Sequence, residues 1–342
     1  MAVYTQIDNP ELFYQTKLYT GDGNSTQAIT LDGDEDMQPD LVWIKNRTDA
    51  HYHNLNDSVR GVGAATVLRT NSNAAESGTS GHVSVIGSDG FTVAEGSSDA
   101  EEVNTSSDTY VAWCWKESAT SGVDIVSYTG NGTDDTDISH NLSAVPKMII
   151  VKNRDAADAW QVYHGANTSA PETDYMVLDT TAATADAADR WSDEAPTSSV
   201  FTLGDGAEVN TNTENYIAYC FAEKQGFSKF GSYTGNGNAD GTFVYTGFRP
   251  AFIMLKNSNT GNWPNIWDSK RETFNPNSNL LYPNNNSAEG DGAPNWVIDM
   301  LSNGFKARSS NNEANGSGNT ICYMAFAEAP FVNSNGVPCN AR

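Results

Sequence analysis

Two phrases of this 342-residue chain place an acid three residues ahead of a guanidinium: Asp57 and Ser58 with Arg60, and Asp268 and Ser269 with Arg271. Such a pair suits an ion-paired turn, and its duplication favours that reading over catalysis, because surface pairs of this kind are common and weak. His51 and His53 form a His-x-His pair that a strand would place on one side. No third ligand accompanies them in spacing, so no metal centre is expected. Asp32-Gly33-Asp34-Glu35-Asp36 opens like an EF-hand loop, but Met37 stands where the turn needs Gly and Trp43 where it needs Glu. A polar turn is expected there. Weak Ca2+ binding, with Asp134, Asp135 and Asp137 in the matching region, is the one cofactor possibility this leaves. The many serines and five histidines single out no Ser-His-Asp set. Carboxylates are abundant, but abundance does not place a pair for glycoside hydrolysis, so an enzyme is not expected.

The elements that must position these residues come in three copies. Tyr-Thr-Gly-Asx-Gly phrases begin at Tyr19, Tyr128 and Tyr233. Pro39, Pro146 and Pro250 each lead into an apolar run that ends in Lys45, Lys152 or Lys256, and twelve residues on stand Asp57, His164 and Asp268. Phe91, Phe201 and Phe305 hold equivalent places, and each copy closes on an aromatic strand. A period of about 105 residues is domain-sized, because a chain of that length can bury its own core. Short strands broken by Gly, Asn, Asp, Ser and Thr indicate an all-β fold of three tandem β-sandwich domains, lectin- or jelly-roll-like. The expected divisions are an N-terminal arm (1–16), repeats at 17–117, 123–223 and 227–328, and a C-terminal tail (329–342). Three independent cores are expected, with a cleavable linker at Ser118 to Gly122 and a tighter one at Glu223 to Gly226. Tracts Ser72 to Gly81 and Thr180 to Asp193 read as loops, the second with room for a short helix.

The repeat also sorts the binding candidates. Aromatic rings in Asn-rich loops suit sugars, whose apolar faces stack on them while amides and carboxylates hydrogen-bond the hydroxyls. Trp191 and Trp296 occur in one copy each and are the leading carbohydrate-binding candidates, followed by Trp160 and Trp263. A side chain present in every copy serves the fold, as the glycines of the Tyr-Thr-Gly-Asx-Gly turn do through positive φ.

Forty-three acidic against nineteen basic residues give a formal net charge of -24, which repels nucleic acid. No apolar stretch is long enough for a membrane span. Met1 to Asp8 has neither the basic start nor the apolar core of a secretory signal. Cys114 and Cys220 share a repeat position inside the closing strands, so they should be buried thiols rather than a disulfide.

The phrases YTGNGT at 128–133, QPDLVWIKNR at 38–47, SDGFTV at 88–93, YVAWCWK at 110–116 and YMAFAEAPF at 323–331 resemble a repeat of marine bacteriophage virion proteins of tail-fibre or appendage type. The resemblance covers nearly the whole chain. It implies a virion structural protein made in the host cytoplasm, a symmetric homo-oligomer with a trimer favoured, other virion proteins as partners, and contact with host-surface glycan. It supplies no catalytic residues. A capsid decoration protein or structural adaptor is the alternative, and a polysaccharide-degrading tailspike a weaker one.

Overall fold

The computed structural model describes residues 4–76, 78–79, 81–96 and 103–339. It is all-β. Each repeat folds into an inner sheet and a smaller outer sheet. In the first, strands Tyr14–Thr20, Thr109–Trp115, Leu41–Asn46 and Asn54–Asp57 lie side by side, and Thr26–Thr30, Gly90–Ala94 and His82–Gly87 form the outer layer. The third repeat keeps this order, with Ser228–Thr234, Thr320–Pro330, Phe248–Asn257 and Asn265–Asp268 inside and Phe243–Tyr245, Gly304–Ala307 and Ile298–Leu301 outside. In the second, Val123–Thr129, Asn215–Phe221, Met148–Asn153 and Gln161–His164 repeat the inner order. Asp174–Val177 and Ala185–Asp186 extend that sheet, while the outer layer is reduced to Thr136–Ser139 and Val200–Leu203. All the ladders are antiparallel, as hairpin and meander connections require.

The closing strand explains itself by alternation. Tyr110, Ala112 and Cys114 point into the outer core of unit 1, and Tyr216, Ala218 and Cys220 into that of unit 2. The intervening Val111, Trp113 and Trp115, with Ile217, Tyr219 and Phe221, face the other way into one cluster that also holds Phe252, Trp267 and Phe326 of unit 3. Successive side chains of a strand point to opposite faces, so a strand apolar at every position must be covered twice. Here the second cover is the other two units. Trp115, Phe221 and Phe326, at equivalent positions, converge: Phe326 lies 5.7 Å from the Trp115 ring and 6.2 Å from Phe221.

This corrects the expectation of three independent cores. Each repeat has its own sheets, with the first inner sheet starting at Tyr14 and the third ending at Pro330, but the inner faces share one interior. The linker correction follows: Gly122 N–H bonds Ser118 O, Ala222 N–H bonds Gly122 O, and Ser121 is buried. It is a pinned turn rather than a loose strap.

Each unit clasps the next at a matching place. Backbone N–H groups of Glu76, Thr184 and Glu289 donate to the carbonyls of Arg154, Ser258 and Arg47, at 2.9, 2.9 and 3.0 Å. Unit 1 thus grips unit 2, unit 2 grips unit 3, and unit 3 closes on unit 1. The arm and tail finish the ring's edge: Gln6 N–H donates to Gln225 O, and Ser334 donates to the Asp8 carboxylate. The arm's last residues already belong to the strand Tyr14–Thr20, and the outermost residues of arm and tail, with part of the 72–81 tract, lie outside the described residues.

The repeated turn is built the same way three times. A Cβ on Gly21, Gly130 or Gly235 would lie 2.2 Å from the carbonyl oxygen of Thr105, Thr211 or Gly316, so the first glycine is required by close approach. Gly23, Gly132 and Gly237 have φ of 72°, 65° and 65°, which is the second requirement. Asn104, Asn210 and Asn315 then clamp the turn, each accepting the N–H of the intervening Asp22, Asn131 or Asn236.

Candidate glycan-contact site

The four tryptophans singled out by sequence part company. Trp191 is buried in the outer core of unit 2, edge-on to Tyr163 at 5.9 Å. Unit 2 has no third outer strand among the described residues, and the short helix Ala188–Trp191 packs against Val200–Leu203 instead. Its copy-specific tryptophan fills space rather than meeting a ligand. Trp160 is also buried, and its indole N–H donates to the carbonyls of Arg69 and Ser72, fastening the unit 1 loop to unit 2. Trp296 is half-buried against the shared core and donates to the Glu313 carboxylate. Neither Trp191 nor Trp160 can offer a ring face to a sugar in this packing.

Trp263 remains. It is 39% exposed, set edge-on against Tyr282 at 4.7 Å, on the short segment before the strand Asn265–Asp268. Asn284, Asn285 and Asn286 follow Tyr282, and the Asn286 amide reaches the Ala50 carbonyl of unit 1. An aromatic pair beside an amide-rich loop is the arrangement expected for weak sugar contact.

A second surface was not visible in the sequence. Tyr4, Glu223, Lys229, Tyr245 and Phe331 line a groove of about 240 Å³ where the arm, the unit 2–3 turn and the tail meet. Tyr4 is 52% and Tyr245 55% exposed. The Lys229 ammonium lies 5.6 Å from the Tyr245 ring centroid. The groove therefore offers aromatic faces, one carboxylate and one ammonium within a concavity, with room for one sugar ring rather than an extended chain. Phe243 at 45% exposure continues the apolar surface along the same strand as Tyr245. Tyr4 and Phe331 come from opposite ends of the chain, so no local pattern could have announced the groove.

The remaining candidates resolve into structure. The Asp-Ser-x-Arg pairs form the expected ion pairs, with Asp57 and Arg60, and Asp268 and Arg271, each 2.5 Å apart and wholly buried. Their reach is longer than expected. Arg60 meets Glu76, which also holds Arg154 of unit 2, and Asp57 accepts from Tyr219 of unit 2. Arg271 meets Glu289, which holds Arg47 of unit 1, and Asp268 accepts from Trp113 of unit 1. Burial pushes the Glu289 carboxyl up, but the paired Arg47 and Arg271 outweigh it and hold it below the usual range. At the unit 2–3 seam His164 and Asn167 replace the charges, and His164 Nε2 lies 3.1 Å from the Tyr323 carbonyl. Burial drives that imidazole down to about 4.

His53 is likewise committed, with Nδ1 accepting from the Trp43 indole at 2.8 Å and Nε2 against the Tyr282 carbonyl at 2.9 Å. Several acids of the calcium-like turn and its unit 2 match have protein partners: Lys17 pairs with Asp32, Ser192 Oγ bridges Asp134 and Asp135, and Thr202 donates to Asp137. Glu117 bonds Asp124 at the unit 1–2 turn, and burial with these acidic neighbours raises its carboxyl to about 7. Lys45, Lys152 and Lys256 end their strands buried, donating to backbone carbonyls, and burial lowers them to about 7, 8 and 8. These lysines satisfy backbone carbonyls.

No curated protein matches the chain. One family model does match, over residues 9–330 and hence all three units: the chain belongs to the domain family DUF7483, a domain of unknown function.

Proposed function

We propose that the chain is a virion structural protein of appendage type that contacts host-surface glycan without hydrolysing it. The observation that carries the contact is the groove between arm, turn and tail, where two half-exposed tyrosines stand beside Glu223 and Lys229. Stacking on Tyr245, a hydrogen bond donated by Lys229 and one accepted by Glu223 give one weak, oriented site per chain. Trp263 and Tyr282 supply a second aromatic surface. Several chains in one particle would multiply such weak sites by avidity. The virion assignment itself rests on the repeat phrases quoted above.

Purified protein added to susceptible cells should compete with adsorption of the parent phage. Tyr245→Ala and Trp263→Ala should each weaken the competition, and Tyr245→Ala should leave thermal stability within about 0.5 kcal/mol, as for surface changes. Absence of cell binding together with immunogold labelling of the capsid would favour the decoration or adaptor role. One feature supports that second reading: three like units closed head-to-tail in one chain already have the shape of a trimer, which suits a threefold position on a shell. Shortening of host polysaccharide by the protein, abolished by Glu117→Gln, would refute the non-enzymatic assignment.

A further inference from the structure

Unit 1 carries a cluster that units 2 and 3 lack. Asp49, His51 and Asp108 bring one potential ligand atom each within 4.8 Å of one another. Two come from the turn after the strand Leu41–Asn46 and the third from the residue before Thr109–Trp115; antiparallel pairing of those two strands joins them across 59 residues of sequence. Asn46 organises the set. Its amide oxygen accepts the N–H groups of Thr48 and Asp49, at 2.8 and 2.9 Å, and its amide nitrogen donates to the Asp108 carboxylate at 2.7 Å. Lys45 reaches the same turn but donates to the backbone carbonyls of Asn46 and Asp49, not to the carboxylates.

A second observation is independent of the clustering. Nδ1 of His51, on a residue that is otherwise partly exposed, is itself shielded from water and has no hydrogen-bond partner. A buried polar nitrogen left unpaired carries a desolvation cost that a metal bond would remove.

The repeat provides a control within the chain. The positions equivalent to Asp49, His51 and Asp108 are Ala156, Asp158 and Glu214 in unit 2, and Thr260, Asn262 and Asn319 in unit 3. In unit 2 the equivalent amide of Asn153 bridges both acids, at 2.7 and 2.5 Å, so the pair is satisfied by protein alone. Only unit 1 combines an imidazole with two carboxylates.

We propose that Asp49, His51 and Asp108 bind one divalent first-row transition ion, Zn2+ or Mn2+. One nitrogen and two carboxylate oxygens fit that class better than Ca2+, which takes oxygen ligands alone. Bonds of about 2.1 Å put tetrahedral donors about 3.4 Å apart. Asp49 is exposed and can close that distance by side-chain rotation. Three protein ligands leave at least one position for water or a hydroxyl of an outside ligand.

The test is calorimetric titration of chelator-stripped full-length protein with Zn2+, Mn2+ and Ca2+ separately. One Zn2+ or Mn2+ per chain is expected, with Ca2+ at least about tenfold weaker. Asp49→Asn, at an exposed position, and His51→Ala should each abolish or sharply reduce that binding, while Asn46→Ala should weaken it by about 10–100-fold through loss of orientation. Circular dichroism of Asp49→Asn confirms that the fold is unchanged. Failure of both Zn2+ and Mn2+ to bind one-to-one, unchanged affinity in Asp49→Asn and His51→Ala, or binding of Ca2+ in preference would each overturn the assignment.

Discussion

Replacing Arg271 by Met should show how much the buried charge pair behind the unit 3–1 seam stabilises the ring. Asp268 and Arg271 are both without exposed side-chain surface and 2.5 Å apart. After the substitution Asp268 keeps the Trp113 indole N–H at 3.0 Å and the N–H groups of residues 270 and 271, but no counter-charge. Removing one partner of a buried pair costs about 3–5 kcal/mol, and those three remaining donors place the expectation near the lower bound, about 3 kcal/mol. The chain also carries its own neutral alternative: unit 2 has His164 and Asn167 at the same two positions. The double variant Asp268→His with Arg271→Asn should therefore recover at least half of the loss. Urea unfolding followed by far-ultraviolet circular dichroism measures both, and the shared core should make the transition cooperative across all three units. A cost below about 1 kcal/mol for Arg271→Met, in the range of exposed pairs, would refute the argument, as would a double variant no more stable than the single one.

Acid should weaken the unit 2–3 seam, because His164 sits near 4 folded against an ordinary 6.5 unfolded. Its contribution is fully present above about 6.5 and is lost as pH falls toward 4, up to about 3 kcal/mol, so the urea midpoint should fall over that window and fall less in His164→Gln. Thiol titration should find one fast-reacting group, Cys339, in native protein and four after denaturation without reductant, since Cys114, Cys220 and Cys322 are buried. Trp191→Ala should cost about 3–5 kcal/mol in thermal unfolding and leave cell binding by the surviving folded protein unchanged, which separates it from Trp263→Ala. Unit 1 expressed alone should bind hydrophobic dye and aggregate, because Trp43, Trp113 and Trp115 would lose their cover; a monomeric unit 1 with a cooperative melt would count against the shared core.

The all-β class, the buried cysteines and the Asp-x-x-Arg turns are legible in the sequence, because each depends on a local pattern. The unbroken apolar run Tyr110–Trp115 requires cover on both faces. What it could not say is by what, since contacts such as Arg47 with Glu289 or Trp160 with the Arg69 carbonyl join residues without any local signal. Trp191 misled for a related reason. A residue confined to one copy can serve a ligand, or it can repair a local difference in the fold, and the missing outer strand of unit 2 makes it the latter. His51 has no third ligand in the adjacent sequence; Asp108 reaches it only through strand pairing.

Threefold repetition separates what the fold demands from what one unit does alone. The clamped glycine turn and the buried lysine occur in every unit and the backbone clasp at every seam, so their chemistry is used up in holding the fold and closing the ring. The charge networks occur at two seams, and the third does without them by burying a neutral histidine in a methionine-lined interior of Met148, Met176, Met254 and Met324. Charge is therefore not required to close a seam. It is suited to fixing register, since a one-residue slip would strand Glu76 or Glu289 without the arginines from both sides. Residues outside these duties include, besides the Trp263 and Tyr282 pair, two groups: the arm, turn and tail groove around Tyr245, and Asp49, His51 and Asp108 of unit 1. Neither place has a copy elsewhere in the chain, and substitution there can change binding while the ring that presents them stays intact.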